Sequence, residues 1–402
     1  YLPVVELLER PTELNNTVPH IFPGGKLCYL ERLGIFLDPL EPGRTTLVII
    51  EAIKRLLHSL LDPKTSLNDL GNEIWAYWNA NDFCYLISNQ RISLTSIFER
   101  RDLNGNTKIE YVIGNNEESL AAWRKRRNEK SSDHQSLGKA IILDLDSIPQ
   151  IDLSKDWPPV NWKQFLTWLY EKHPSIEQKL LTDLQQILMS TKIIVVILQS
   201  KVSGPIGVCV NFHPLVKEIS SRLSKKKSNR TRRKDHKSTA GFRQRIRSKK
   251  LVKNFVRLHV VDATAEFIFE RNLLTKSLID TKIAIIGCGT VGSFTSKLLT
   301  MAGAGSGKKG ALKLYDDDYL SSANIGRHLL DIEYLGENKS KALAHSLSNS
   351  SINSPNIEGL GRFNVNELKS LSDYDLIIDA TGDETVSTLI SFEFHKIIKT
   401  GI

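Results

Sequence analysis

The strongest constraint on this chain is a glycine-rich turn that separates an apolar run from an amphipathic segment. The stretch KIAIIGCGTVGSFTSKLL, residues 282–299, has the order of a buried strand, a Gly-x-Gly-x-x-Gly turn and a helix. Its glycines, Gly287, Gly289 and Gly292, let the backbone turn tightly and approach a phosphate, which the N-terminus of a helix attracts. The pattern predicts an α/β nucleotide-binding domain. By itself it fits an NAD-dependent oxidoreductase as well as an ATP-using enzyme.

Polar residues follow the later predicted strands of this domain. The run ALKLY is followed by Asp316, at a place where an acid can hold ribose hydroxyls. An amide and two cations, Asn324, Arg327 and Lys339, come within the following 23 residues. Hydride transfer has little use for them, whereas attack on an α-phosphate needs cations because charge builds on the phosphate oxygens. A further strand, DLIID, leads to Asp383, an acid well placed for Mg²⁺.

Five motifs in this region resemble, in order, those of the ThiF/MoeB/ubiquitin-activating adenylyltransferases. They are Gly-x-Gly-x-x-Gly, Asp-x-Asp, Asn-x-x-Arg, Gly-x-x-Lys and Asp-Ala-Thr-x-Asp. The resemblance implies a Rossmann-like adenylation domain that uses ATP and Mg²⁺. It implies that Asp383 positions the metal, that Arg327 and Lys339 act on the phosphates, and that the nucleotide is bound by Gly287, Gly289, Gly292, Asp316, Asp318, Asn324, Arg327 and Lys339.

The same resemblance implies a homodimer. Arg271, in the stretch FERNLL just ahead of the first strand, is similar to the family's upstream arginine. In that family this arginine reaches the phosphates from a dimer partner. We therefore expect Arg271 to bind the nucleotide across an interface between two copies of the chain.

A second candidate site lies near the start of the chain, in VPHIFPGGKLCYL, residues 18–30. A lone cysteine such as Cys28 is usually a buried small hydrophobe. The stretch nevertheless resembles ubiquitin-conjugating enzymes, with Val18-Pro19-His20 at the family's His-Pro-Asn positions and Gly25 three residues before the cysteine. The resemblance implies that Cys28 carries an acyl group as a thioester. His20, in place of the family's asparagine, would support the oxyanion or the local turn.

Together the two sites are similar to bacterial conjugating–activating fusion proteins, including the fusion of CBASS antiphage operons. This resemblance implies adenylation of the C-terminal glycine of a protein, transfer through thioesters and conjugation to an amine. The implied substrate is a cGAS-like nucleotidyltransferase or a ubiquitin-like protein. A sulfur-carrier adenylyltransferase of the thiamin or molybdopterin type would share the nucleotide site without needing residues 1–250. An NAD-dependent oxidoreductase would share the glycine turn.

The predicted organisation has four parts. Residues 1–80 form a partial α+β conjugating-like domain that includes a helix over 45–61, and residues 81–221 form a middle α/β domain. Residues 222–253 form a basic linker or loop, and residues 254–402 form the ThiF-type domain. Because 27 residues ahead of Cys28 cannot hold a helix and most of a sheet, we interpret the chain as an internal piece of a longer protein. The activating-type thioester cysteine would follow residue 402.

Charge is concentrated in the predicted linker. The chain has a net charge of +9, yet residues 222–253 contain 15 Lys and Arg against one acid, which leaves 39 bases and 44 acids elsewhere. This composition indicates a solvated insertion or a docking surface for an acidic partner. The segment has no interleaved aromatic residues for base stacking, which argues against nucleic acid as its binding partner.

The remaining composition favours a cytoplasmic protein without a membrane span. No apolar run reaches 18 residues, and the four cysteines include no Cys-x-x-Cys pair, so we expect neither a disulfide framework nor a zinc site. Cys84 and Cys209 lie in apolar strand-like runs, and Cys288 lies in the glycine turn where a small side chain is needed. We expect all three to be structural.

Overall fold

The chain divides into two compact units, Tyr1–Asp262 and Ala263–Ile402. A computed structural model describes residues 3–9, 19–22, 25–29, 38, 40–60, 74–78, 80, 82–101, 104–127, 136–145, 151, 157–200, 204–218, 235–273, 277–350, 355–364 and 372–400. Among these residues, none of the helices combines the length and apolarity needed to cross a bilayer.

The first unit begins with short paired segments that pack on a long helix. Antiparallel bridges join Glu6 to Lys26 and Ile21 to Leu27. Helix α1 (Pro42–Leu60) confirms the helix predicted over 45–61. Side chains of these segments and of α1 form a small core cluster of their own, centred on Ile21, Leu27 and Leu60.

A closed seven-stranded sheet makes up the rest of this unit, with strand order β1-β3-β2-β4-β5-β6-β7 and β1 paired to β7. Its strands are β1 (Asp82–Leu86), β2 (Ile92–Arg101), β3 (Thr107–Gly114), β4 (Ser136–Asp144), β5 (Ile193–Gln199), β6 (Ile206–Phe212) and β7 (Val252–Asp262). Its helices are α2 (Ile74–Tyr77), α3 (Glu117–Arg126), α4 (Trp162–Lys172), α5 (Pro174–Ile187) and α6 (Asp235–Ile246). The first six residues of β5 are buried, because a sheet covered on both faces needs apolar side chains on both.

The basic segment is not a linker over its described part. Residues 235–253 contain α6, a 3-10 turn and the start of β7, whereas residues 222–234 lie outside the described residues. Phe242 and Ile246, one helical turn apart, are buried in the same core as α4 and α5. Arg243 donates two hydrogen bonds, of 2.7 and 2.8 Å, to the fully buried carboxylate of Glu177. A counter-charge 66 residues away therefore lets this basic stretch fold into the unit.

Two predicted domain boundaries, after residue 80 and before residue 254, differ from the structure because of contacts between residues far apart in the sequence. Residues 254–262, predicted for the ThiF-type domain, continue β7 and close the sheet of the first unit. Trp78, predicted for the conjugating-like part, is buried in the core of α4 and α5, and its indole N–H donates to the carbonyl of Gly207. Local sequence patterns do not reveal such long-range pairings.

The second unit contains a four-stranded parallel sheet of order β10-β9-β8-β11, which confirms the predicted Rossmann-like α/β class. Its elements are α7 (Ala265–Leu273), β8 (Lys282–Ile286), α8 (Thr290–Met301), β9 (Ala311–Tyr315), α9 (Lys339–Ser350), β10 (Ile357–Leu360), β11 (Leu376–Asp379) and α10 (Glu384–Thr400). The chain leaves β8 to add β9 on one side and returns to add β11 on the other. Ligands bind at the carboxyl ends of strands at such a reversal.

Candidate functional site

The turn between β8 and α8 needs two of its three glycines for its own shape. Gly287 has a φ of +92°, and a Cβ there would lie 2.7 Å from the backbone of Ala380 and Thr381. A Cβ on Gly292 would lie 1.9 Å from the carbonyl oxygen of Gly287. Both positions therefore exclude a side chain, because the neighbouring atoms are backbone that cannot move aside.

Gly289 is different, since a Cβ there meets no atom within 4 Å. This residue is the N-cap of α8 and lies on the wall of a cavity. The open space therefore lies at the N-terminus of a helix, where unpaired amides favour an anion.

Asp316, at the end of β9, is fixed by the backbone of both neighbouring turns. One carboxylate oxygen accepts a 2.7 Å hydrogen bond from the amide of Cys288, and the other accepts a 2.8 Å bond from the amide of Asp318. The carboxylate retains lone pairs for ribose hydroxyls. Asp316 lies at the end of β9 and on the cavity wall, and its contact with a ribose stays a prediction.

Lys339, the first residue of α9, is buried and forms an ion pair with Asp318. The pKa of Asp318 is lowered by the hydrogen bond from Lys339 and by the bond from the amide of Tyr319. A buried ammonium beside the cavity is a cation that an incoming phosphate can share.

The cavity has a volume of about 470 Å³, in the range of small-molecule sites. Its polar lining residues include Asp316, Lys339 and Asp383, next to Gly287 and Gly289 of the glycine turn. Its apolar lining residues include Ile286, Tyr315, Phe363, Val386, Leu389 and Ile390. A lining with both kinds of side chain suits a ligand that has both an apolar ring and anionic groups.

The acids after β11 organise the start of α10. Asp383 accepts a 2.8 Å hydrogen bond from the amide of Thr385 and lies on the cavity wall. Asp379 is partly desolvated, which raises its pKa, but hydrogen bonds from Ser387 and Thr381 outweigh this effect and lower it overall. Both acids are exposed, and each accepts hydrogen bonds from the start of α10.

The described acids fit a magnesium site only in part. Mg²⁺ in nucleotide sites takes one or two carboxylates, and its other ligands are waters and phosphate oxygens. Asp316, Asp318 and Asp383 line the cavity. Within the described ranges, however, no cluster of three or more His, Cys, Asp or Glu forms a metal-binding group by itself.

Four residues predicted to bind the nucleotide are not among those that line the cavity: Gly292, Asn324, Arg327 and Arg271. Gly292 lies within α8 and packs against the carbonyl of Gly287. Asn324 uses its side-chain oxygen to accept from the amide and hydroxyl of Ser321, which shapes the loop after β9. Arg327 is exposed on that loop, and Arg271 is exposed near the end of α7. Their contacts with a nucleotide stay predictions.

Two parts of the site were not predicted from the sequence. His328, directly after Arg327, is buried and hydrogen-bonded to the carbonyl of Cys288. Three of the six apolar lining residues named above, Val386, Leu389 and Ile390, recur at helical spacing on α10. That spacing predicts a packed helix face but does not show that the face lines a cavity.

The second candidate site is a turn in the first unit. Cys28 is partly exposed, and its amide donates a 2.8 Å hydrogen bond to the carbonyl of His20. Gly25, within the turn, has a φ of +83°, and a Cβ there would lie 2.9 Å from the carbonyl oxygen of Leu7. The structure therefore brings the predicted His20, Gly25 and Cys28 together. Val18 and Gly24 lie outside the described residues.

The other three cysteines are buried, as the sequence predicts. Burial raises the pKa of the Cys84 and Cys288 thiols, and raises the pKa of Cys209 to about 12. These thiols therefore stay protonated near neutral pH, which suits structural cysteines.

The family comparison agrees with this geometry. Residues 263–394 match the ThiF family. This segment is therefore similar to ThiF-family domains. It begins at the boundary between the two units and includes the glycine turn, Asp316, Lys339 and Asp383.

Two relatives extend the similarity beyond this segment. The chain is 28% identical over 407 residues to the ATP-dependent ubiquitin transferase-like protein Cap2 of Escherichia coli, covering 96% of this chain and 66% of the relative. It is 28% identical over 412 residues to the Cap2 protein of Vibrio cholerae, covering 99% of this chain and 68% of the relative. The chain thus spans about two thirds of the length of these relatives. Among solved structures, E. coli tRNA N6-threonylcarbamoyladenosine dehydratase TcdA overlaps 33% of this chain and 55% of its own, with 21% identity and a TM-score of 0.28.

Proposed function

We propose that the ThiF-like domain adenylates the C-terminal carboxylate of a protein with ATP. The observation that supports this most is the cavity, which is lined by the glycine turn, Asp316 and Lys339 and also by apolar side chains. An adenine ring would pack on the apolar side chains, the ribose would bind Asp316, and the phosphates would bind the start of α8 and Lys339.

In the proposed reaction, a carboxylate oxygen of the substrate attacks the α-phosphorus of ATP and pyrophosphate leaves. The product is an acyl-adenylate. Negative charge increases on the phosphate oxygens during this step, so Lys339 and Arg327 would stabilise it electrostatically, and Asn324 would donate hydrogen bonds. Asp383, with Asp316 or Asp318, would hold Mg²⁺, which neutralises phosphate charge when bound.

We further propose that Cys28 receives the acyl group as a thioester. Its thiolate attacks the acyl carbonyl either of the acyl-adenylate, so that AMP leaves, or of a preceding thioester, so that the first thiolate leaves. An amine then attacks the Cys28 thioester, and the Cys28 thiolate leaves. Support comes from the partial exposure of Cys28, from its bonded position beside His20, and from the similarity to relatives named as ubiquitin transferase-like.

The proposed partners follow from the same similarity. The protein substrate would end in glycine, as a cGAS-like nucleotidyltransferase or a ubiquitin-like protein, and the role would be antiphage defence. The chain would act as a homodimer, with Arg271 reaching the partner's nucleotide. An exposed apolar stripe on α8, formed by Val291, Phe294, Leu298 and Met301, offers a surface for a second copy.

ATP–pyrophosphate exchange with a cGAS-like nucleotidyltransferase as acyl substrate tests the adenylation step. Arg327→Ala and Lys339→Ala should each lower the exchange rate by about a hundredfold, as removal of a transition-state donor does. Lys341→Ala is the matched control, because Lys341 is exposed and lies two positions from Lys339. Normal exchange by both Arg327→Ala and Lys339→Ala would refute the proposal. NAD binding without any exchange would favour an oxidoreductase.

Substitution of Cys28 tests the relay separately from adenylation. Cys28→Ala should abolish conjugation and retain ATP–pyrophosphate exchange, whereas Cys28→Ser should accumulate a more stable oxyester. Full conjugation by Cys28→Ala would show that this cysteine is structural. If Cys28→Ala conjugates fully and ATP–pyrophosphate exchange persists unchanged after removal of residues 1–250, a sulfur-carrier adenylyltransferase would be indicated.

A further inference from the structure

The buried imidazole of His328 is hydrogen-bonded at both ring nitrogens. Nε2 lies 2.7 Å from the carbonyl oxygen of Cys288, and Nδ1 accepts a 3.0 Å hydrogen bond from the amide of Leu330. A carbonyl oxygen can only accept, so Nε2 bears the proton, and the ring is the neutral Nε2–H tautomer. His328 is 7% exposed, so water does not compete well for either bond.

The bonded carbonyl belongs to the peptide group that joins Cys288 to Gly289. In a trans peptide the C=O and N–H bonds point in opposite directions. A Cys288 carbonyl fixed on His328 therefore turns the Gly289 amide away from His328. Gly289 lines the cavity and has open space where a Cβ would be.

The peptide group on the other side of Cys288 is also fixed, because the Cys288 amide donates to Asp316. Glycine permits many backbone orientations, so without such restraints the Cys288–Gly289 peptide could rotate. The loop bearing His328 is itself attached to α8, since the amide of Leu329 donates a 3.4 Å bond to the hydroxyl of Ser293.

We propose that His328 is a positioning residue that directs the Gly289 amide toward the phosphates of the bound nucleotide. This role rests on the proposed ATP-binding function and deepens it. His328 acts through the Cys288 carbonyl and touches no substrate. It also links the loop of Asn324 and Arg327 to the glycine turn. The loop and the turn, both proposed to bind phosphates, therefore keep a fixed position relative to each other.

The test compares ATP with adenosine, which lacks phosphates, by calorimetric titration of the full chain. His328→Leu removes the donor at similar size and should weaken ATP binding by about tenfold, as expected for the loss of one hydrogen bond, with adenosine affinity unchanged. His328→Gln keeps an amide donor near the Nε2 position and should restore most of the ATP affinity. His345→Leu, an exposed histidine of the same unit, is the control and should change neither affinity.

Several outcomes would overturn this role. Unchanged ATP affinity in His328→Leu would do so, and so would an equal loss of ATP and adenosine affinity, which would indicate general damage to the domain. Failure of His328→Gln to improve on His328→Leu would show that the donor is not what matters. If the unsubstituted chain bound adenosine but not ATP, the proposed adenylation would fall, and the role of His328 with it.

Discussion

The amide of Cys28 donates a 2.8 Å hydrogen bond to the carbonyl of His20, which fixes the distance between the two residues across the turn. His20 has a φ of +60°, an uncommon conformation for a side-chain-bearing residue, and its own amide donates to the hydroxyl of Tyr77. The ring of Tyr77 stacks on Phe22 with a centroid separation of 6.4 Å. A buried aromatic residue from α2 thus holds the turn that presents the cysteine.

This arrangement predicts selective alkylation of Cys28 in the native chain. Iodoacetamide near pH 8 should modify Cys28 first, because it is partly exposed and the other three cysteines are buried. Alkylation requires the thiolate, and burial raises the pKa of Cys84, Cys209 and Cys288, so less thiolate is present at any given pH. Peptide mass spectrometry after a time course measures the order of modification.

The same reaction in denaturant is the control, since all four cysteines should then react at similar rates. Faster native modification of Cys288 than of Cys28 would contradict the assignment of Cys28 as the reactive thiol. It would also contradict the buried position of Cys288 beside Asp316.

Alanine substitutions at two glycines of the turn should have different effects, one on folding stability and the other on ATP binding. Gly292→Ala should strongly lower the unfolding temperature, because its Cβ would meet the carbonyl of Gly287 at 1.9 Å. Gly289→Ala should unfold near the temperature of the unsubstituted chain, because its Cβ enters open space, yet it should bind ATP poorly. Calorimetric unfolding and ATP titration measure the two effects, and full ATP affinity in Gly289→Ala would place the phosphates elsewhere.

The glycine turn and Asp316 were predictable because their constraints are local. A strand, a tight turn and a helix follow directly in the sequence, and an acid at the end of the next strand must lie at the same sheet edge. The position of Lys339 at the start of α9 follows from the same topology. All three features line the cavity.

Other features depend on partners far along the chain, which local patterns do not encode. His328 bonds a carbonyl 40 residues away, and nothing in its neighbours distinguishes it from a surface histidine. Charge density predicted a linker or loop at 222–253. The described part is instead packed in the first unit, because Arg243 pairs with the buried Glu177 on a different helix. Asn324 and Arg327 were predicted from motif order alone, and motif order does not fix their orientation toward a ligand.

Acid should remove the contribution of the Asp318–Lys339 pair to stability. The folded-state pKa of Asp318 is lowered, first by the Lys339 hydrogen bond, so the pair stabilises the fold fully above the unfolded-state pKa of about 3.9. This stability is lost as pH falls through the folded-state value. Because Asp318 is largely exposed, we expect less than about 1 kcal/mol.

Unfolding midpoints of the unsubstituted chain and Asp318→Asn at several pH values measure this effect. The variant should be slightly less stable near pH 6, and the difference should shrink below about pH 4. A difference that grows on acidification would show that the pair does not stabilise the folded state.

The packing of the basic helix α6 in the first unit should depend mainly on one of its arginines, Arg243. Arg243 pairs with the fully buried Glu177 through two hydrogen bonds, its guanidinium lies 4.8 Å from the Tyr170 ring centre, and Arg247 is 3.9 Å from the same carboxylate. Arg243→Ala leaves a buried charge without its main partner, so it should cost about 3 kcal/mol of unfolding free energy. Arg245→Ala, on the same helix but exposed, should cost less than about 0.5 kcal/mol.

Urea denaturation of both variants measures the difference, and the double variant Glu177→Gln/Arg243→Ala separates charge from packing. Removing the carboxylate charge should restore part of the stability lost in Arg243→Ala, because an uncompensated buried charge costs more than a neutral amide. Equal stability of Arg243→Ala and Arg245→Ala would mean that the helix is a solvated insertion, as its composition first indicates. A larger loss of unfolding free energy in Arg243→Ala than in Arg245→Ala would instead show that this part of the basic segment is packed in the core. Only its exposed basic residues would then face solvent.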